Sequence, residues 1–190
     1  MCGIIGLISK SFNGISKDTW ELFLKVFGRL EVRGDKASGI VIWLDDGRFF
    51  ITKQPIPSSQ LAEKLSTMEI PLNKITMILG HAREPTQGSP YNNENNHPLY
   101  EIINNQLVAM VHNGHVYATK PSLQKKREVD SDYFLSLTRQ NNVYDDAVIK
   151  ETFRYVYGAY AVIFGDGKTM YMARNTNPLE QYTTQDAIIF

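Results

Sequence analysis

Cys2 is the only thiol in the chain, and it directly follows the initiator methionine. Most lone cysteines are small core hydrophobes. Position changes the weighing here, because removal of Met1, expected when a small residue follows, leaves a free α-amine on the residue that carries the thiol. That amine titrates near ~7.7–8.0 and the thiol near ~8.5, so around neutrality the amine takes the thiol proton at little cost. Nucleophile and base then come from one residue. An amidase built on that pair needs three more things: donors for an oxyanion, a cation for a substrate carboxylate and an anion for a substrate ammonium. His112-Asn113-Gly114, read as the end of a strand, offers the Asn113 amide and the Gly114 N–H to one developing negative charge, although Asn-Gly is also a common turn dipeptide. Arg83, at a strand end before a long loop, offers a bidentate fork for a carboxylate, or else is a solvated surface arginine. Asp132, where a helix begins, offers the anion, or else only caps the helix. Each bland reading taken alone outweighs its functional counterpart. Beside a cysteine at position 2, the set does not read as chance.

Two other patterns lead nowhere. Gly165-Asp166-Gly167-Lys168-Thr169 has the tail of a phosphate-binding loop, but Val162 stands where the first glycine belongs and a strand follows, so it reads as a hairpin turn. His112 and His115 have neither a neighbouring cysteine nor an acidic residue at ligand spacing, which argues against a metal centre.

The elements that must position these groups follow from periodicity. Gly3 to Ser9 reads as a buried strand. Ser16 caps a helix with Trp20, Phe23, Leu24, Phe27 and Leu30 on one stripe. A loop over 33–39 leads into a hairpin, Ile40–Trp43 and Phe49–Thr52, turned at Asp45-Asp46-Gly47. A helix over 59–68 and a strand from Thr76 to Gly80, ending at His81-Ala82-Arg83, precede the polar segment from Glu84 to Pro98. Unstructured stretches beyond ~12–15 residues in a compact domain are commonly functional. Another hairpin turns at Asn104-Asn105, with Leu107 to Val111 running into His112-Asn113-Gly114. Helices over 131–140 and 145–157, a hairpin of Ala159–Phe164 and Met170–Ala173, and a final strand over 187–190 complete the chain. The tally predicts an α+β layered domain with antiparallel sheets and helices on the outer faces.

Composition narrows the partners. With 190 residues, 43% hydrophobic and 21% charged, the chain reads as one domain able to bury a core without metal or disulfide. Its 20 basic and 20 acidic residues leave no net charge to attract nucleic acid or an anionic membrane surface. No run approaches the ~18 apolar residues of a membrane span, and the opening segment lacks the basic start of a secretory signal. A cytoplasmic protein without cofactor is expected.

Cys2-Gly3-Ile4-Ile5-Gly6, Arg33-Gly34 to Gly39, Gly80-His81-Ala82-Arg83 with Thr86 and Gly88, Asn96-His97-Pro98, His112-Asn113-Gly114, Ser131-Asp132 and Gly158-Ala159-Tyr160-Ala161 occur in the order seen in class II glutamine amidotransferase domains. The resemblance spans essentially the whole chain. Ala173-Arg174-Asn175-Thr176-Asn177-Pro178-Leu179 looks most like the glutaminase half of glucosamine-6-phosphate synthase. The resemblance implies an N-terminal-nucleophile hydrolase, a four-layer αββα sandwich of two antiparallel sheets. In it Cys2 attacks the side-chain amide of L-glutamine, and Asn113 and the Gly114 N–H form the oxyanion hole. Arg83 holds the substrate carboxylate and Asp132 its ammonium. Thr86, Gln87 and His112 line the pocket, and Arg33 supports the loop beside Cys2. Glu84 and Gln87 depart from the sugar-amidating pattern, which carries a bulky aromatic and a histidine there. Residues 1–190 correspond to the glutamine-handling domain alone, so ammonia is expected to pass to a synthase on a partner or a further domain. The alternatives are an amidase for another γ-glutamyl amide and a non-catalytic glutamine-binding regulatory subunit.

Overall fold

The computed structural model describes residues 2–11 and 13–190. The opening apolar run forms β1 (Gly3–Ser9). Its side chains alternate between two cores: Ile5 and Leu7 face the helices, and Ile4 and Ile8 face the second sheet. Ser16 caps α1 (Lys17–Arg29), its side chain accepting from the Thr19 N–H at 3.2 Å. Trp20, Phe23 and Phe27 of that helix pack on the first sheet, whereas Leu30 lies just beyond it in a 3-10 turn over 30–33.

β2 (Ala37–Leu44) and β3 (Phe49–Gln54) make the expected hairpin, and α2 (Ser58–Ser66) covers them beside α1. β2 begins at Ala37, so the end of the expected loop is strand. β4 (Ile75–Arg83) then inserts between β2 and β1. β5 (Leu99–Ile103) and β6 (Gln106–Ala118) turn at Asn104 and Asn105, both with positive φ, as a tight hairpin turn requires. α3 (Tyr133–Asn141) and α4 (Asp146–Tyr155) follow, then β7 (Val156–Gly165) and β8 (Met170–Arg174). The helix expected over 145–157 thus gives way to strand at Val156. The chain closes with β9 (Tyr182–Thr183), which its two residues made unreadable in sequence, and β10 (Ala187–Ile189).

One sheet runs β3-β2-β4-β1-β10-β9 and the other β5-β6-β7-β8, with antiparallel pairings in both. Val41, Met77 and Leu79 of the first meet Leu107, Val111 and Ile163 of the second in a dry layer. α1 and α2 cover the outer face of one sheet, α3 and α4 that of the other. This is the expected four-layer αββα sandwich.

β6 differs from the sequence reading in one consequential way. His112-Asn113-Gly114 does not end the strand, which pairs with β7 through to Ala118. Gly114 (φ 146°) and Gly158 (φ 133°) break its regularity instead. A Cβ on Gly114 would lie 1.9 Å from the Ala159 carbonyl oxygen, and one on Gly158 would lie 2.1 Å from that of His115. Only glycine permits both the dihedrals and the approach.

Phe134 of α3 is fully buried, edge-on to His112 at 5.2 Å between centroids and to Phe164 at 5.9 Å. Phe134→Ala is expected to lower unfolding stability by about 3–5 kcal/mol, measured by urea denaturation; a change below about 1 kcal/mol would show that the site relaxes around the loss.

Candidate active site

Strand register places the thiol. Gly3 pairs with Ala82, and Ala37 pairs with Arg83, so the residue before β1 and the residues ending β4 come together at one edge of the sandwich. The Cys2 Sγ–H donates to the Glu84 carbonyl at 3.6 Å, and Arg33 Nε donates to the Cys2 carbonyl at 2.9 Å. Gly34 allows this packing, because a Cβ there would lie 2.3 Å from the Glu84 nitrogen. Burial pushes the Cys2 thiol up from its ordinary range. Removal of Met1, on which the paired amine depends, concerns a residue outside those described.

Cys2 borders a small polar recess of about 30 Å³ with Arg83, Thr86, Gln87, His112, Gly114 and Asp130. Asn113 borders two neighbouring cavities that Cys2 also reaches. The structure therefore gathers Cys2, Arg83, Thr86, Gln87, His112, Asn113 and Gly114 around one point, with Arg33 behind the Cys2 backbone.

Arg83 is buried rather than solvated. Its guanidinium donates to the Asn96 side chain at 2.6 Å, to the Gly88 carbonyl at 3.0 Å and to the Gln87 carbonyl, so it gathers the loop from Glu84 to Pro98 around itself. Whatever it offers a ligand, it also organises the wall of the recess.

The acid singled out in sequence, Asp132, belongs to a network of ion pairs. It is fully buried but does not line the recess; Arg127 Nη1 lies 2.6 Å from one carboxylate oxygen and Arg139 Nη2 3.1 Å from the other. Both arginines also reach Glu101, at 2.9 and 2.8 Å, which closes a charge-balanced quartet joining β5, α3 and the intervening loop. Asp132 also accepts from the Lys126 and Arg127 N–H groups, and together these donors hold its carboxyl below the ordinary range despite burial. Glu84 lines the recess, and so does Asp130, two residues before Asp132 in the 3-10 turn of residues 130–132. Asp130 accepts from the Val116 N–H at 2.8 Å, and His115 Nδ1 stands 3.1 Å away. The sequence signal for it was present, since Asp130-Ser131-Asp132 offers two acids; in a 3-10 turn residues two apart point along different directions.

His81, His97 and His112 are buried close together, with the His112 ring turned toward α3. His81 stacks on His97 at 4.2 Å, the His81 Nε2 meets the His112 carbonyl at 3.0 Å, and the His112 Nδ1 meets Ser131 Oγ at 2.8 Å. Burial pushes His81 down to about 3, His112 down to about 4 and His97 well down. No group of three or more His, Cys, Asp or Glu among the described residues is arranged to hold a metal ion, and no helix among them is long and apolar enough to cross a membrane.

The backbone aligns with proteins of known structure. Over 100% of its length it superposes on 41% of the glutamine phosphoribosylpyrophosphate (PRPP) amidotransferase from B. subtilis, solved with ADP and GMP, with a TM-score of 0.71 at 19% identity. The chain has the fold of the class II glutamine amidotransferases. A glutamine aminotransferase class-II domain protein from Silicibacter pomeroyi matches 98% of this chain with 88% of its own, with a TM-score of 0.52 at 12% identity. In sequence, the glutamine–fructose-6-phosphate aminotransferase (isomerizing) of Mycolicibacterium paratuberculosis is 27% identical over 138 residues, 73% of this chain and 20% of that protein. The chain therefore spans about two-fifths of the length of the PRPP amidotransferase, and its match covers about one-fifth of the fructose-6-phosphate aminotransferase. No family model matches it.

The buried histidines set an acid limit. Their folded pKa values lie below the unfolded value of ~6.5, so the unfolded state binds more protons and stability rises with pH across that interval. Stability is present above about pH 6.5 and is lost as pH falls toward 4, with a slope of up to roughly 1.4 kcal/mol per pH unit for each histidine. Denaturant midpoints at pH 7.5, 6 and 4.5 check this; a flat profile would show that the histidines are not held neutral.

Proposed function

We propose that the chain hydrolyses the side-chain amide of L-glutamine to glutamate and ammonia. The observation that carries the reading is the convergence on Cys2 of a buried guanidinium, Arg83, and a carboxylate, Asp130, in one recess, with Asn113 and Gly114 beside the sulfur. A free amino acid brings one carboxylate and one ammonium, and that pair of charges matches it. In this reading Asp130, rather than Asp132, receives the ammonium. Thr86, Gln87 and His112 wall the recess, and Arg33 fixes the Cys2 carbonyl.

Burial raises the thiol, so a standing thiolate is disfavoured and the proton leaves as the bond to carbon forms. The α-amine exposed by loss of Met1 takes it. Sulfur adds to the amide carbon, and the oxyanion is met by the Asn113 amide and the Gly114 N–H. The C–N bond then breaks with the proton delivered to departing ammonia, leaving a γ-glutamyl thioester. Water adds to the thioester, the amine accepts its proton, and the C–S bond breaks to return the thiol and release glutamate. Ammonia passes to a synthase, on a partner or on a further part of a longer protein. The length of the fructose-6-phosphate aminotransferase and the PRPP amidotransferase beyond the matched region supports that arrangement.

Glutamate release from glutamine, followed by coupled dehydrogenase assay, is expected to vanish in Cys2→Ala and to fall ~10²–10³-fold in kcat in Asn113→Ala. Asp130→Asn is expected to raise KM at least tenfold with an unchanged Tm. Asp132→Asn is expected to lower Tm instead, because it leaves Arg127 and Arg139 without their buried anion. Release undiminished in Cys2→Ala would end the mechanism, and a KM effect confined to Asp132→Asn would reverse the assignment of the acid.

A further inference from the structure

β8 ends at Arg174, which pairs with Ala161 of β7, and the loop that follows is pinned to the same strand. The Asn175 N–H donates to the Tyr160 carbonyl at 3.0 Å; the Asn175 side chain accepts from the Tyr160 N–H at 2.8 Å and donates to the Gly158 carbonyl. Two residues on, Asn177 precedes Pro178, which restricts the Asn177 backbone to extended conformations. From there the half-buried Asn177 side chain reaches past β7 to β6, its Nδ2–H donating to the Asn113 carbonyl at 2.8 Å. Asn177 also borders, with Cys2, Asn113 and Gly114, a cavity of about 290 Å³.

The Asn113 carbonyl and the Gly114 N–H are the two ends of one planar trans peptide unit, so a bond that fixes the first fixes the direction of the second. A hold from outside matters at this unit, because Gly114, with φ 146°, has no Cβ to resist rotation on its side of the plane. A hydrogen bond accepted by a carbonyl also polarises the amide, which makes the N–H at the other end a stronger donor. We propose that Asn177 is a positioning residue for the oxyanion hole: it holds and polarises the Asn113–Gly114 peptide so that the Gly114 N–H meets the oxygen on which charge develops. The inference rests on the Cys2 reading above and adds a group that acts through the peptide rather than on the substrate. Because the charge exists only as sulfur adds, the contribution of Asn177 falls on kcat and leaves KM in place.

The test compares the full chain with Asn177→Leu, which keeps the shape and removes the donor, and with Asn177→Gln, which keeps an amide, in steady-state glutamine hydrolysis. Asn177→Leu is expected to lower kcat about tenfold, less than the ~10²–10³ of losing a donor outright, with KM within about twofold. Asn177→Gln is expected to run about fivefold faster than Asn177→Leu. In proton–nitrogen correlation spectra the Gly114 amide nitrogen is expected to move upfield in Asn177→Leu and back toward wild type in Asn177→Gln, a signature that a loop merely walling the cavity does not give. Should leucine unfold the chain, as read by Tm, Asn177→Asp takes its place, being isosteric and without a donor. Wild-type turnover with kcat unchanged in the donorless variant, or with a loss confined to KM, would overturn the positioning role and leave the glutaminase reading standing. An unmoved Gly114 resonance, or Asn177→Gln no faster than the donorless variant, would overturn it as well. No glutamine turnover by the wild type would overturn both readings.

Discussion

The backbone ladder that joins β2, β4 and β1 is the constraint on which the site depends. Gly3 faces Ala82 and Ala82 faces Ser38, so the start of β1 and the end of β4 meet at the same edge. A slip of one residue would reverse every side chain between the two faces, moving Ile5 and Leu7 off the helices and Ile4 and Ile8 off the opposing sheet. The burial of those residues therefore fixes the register, and the register puts a thiol beside a guanidinium. Hydrophobic packing deep in the molecule decides an alignment of polar groups at its rim.

The charges sort themselves by what surrounds them. Asp132 is fully buried, and burial of a lone carboxylate is prohibitive, so it stands between Arg127 and Arg139 with Glu101 completing the neutral set. Among the described residues, Asp130 accepts from the Val116 N–H and the Ser131 hydroxyl and stands beside an exposed histidine, His115. The first acid ties three parts of the chain together; the second lines the recess beside Cys2. The buried histidines behave like the first kind, neutral members of the core whose bonds to the His112 carbonyl and Ser131 lock β4, β6 and the turn before α3.

Much of this was legible in the residues. The helical stripe of Trp20, Phe23 and Phe27, the Asp45-Asp46-Gly47 and Asn104-Asn105 turns and the layered architecture follow from local rules of period and turn chemistry, and most of the residues around Cys2 were singled out for their chemistry. What was missed has physical reasons. Asn113-Gly114 was read as the end of a strand, yet here the positive φ at Gly114 falls inside a strand that runs on beside β7, itself broken by the positive φ of Gly158, a tertiary fact with no local trace. The pairing of Asp132 depends on Arg139 and Glu101, which lie far from it in sequence or on another element and leave no local trace. The burial of Arg83 was not legible, because nothing nearby in sequence announces that the loop after it folds back to cover it.

That loop is gripped largely by its carbonyl oxygens. Arg83 reaches the backbone at Gln87 and Gly88, and Asn96 adds a hold on the Pro90 carbonyl. A carbonyl is the same whichever side chain it carries, so a residue such as Gln87 is free to be exchanged without loosening the anchorage. The lining of the pocket can thus drift from one ligand preference to another while its scaffold stays put, which separates inheritance of the architecture from inheritance of the substrate.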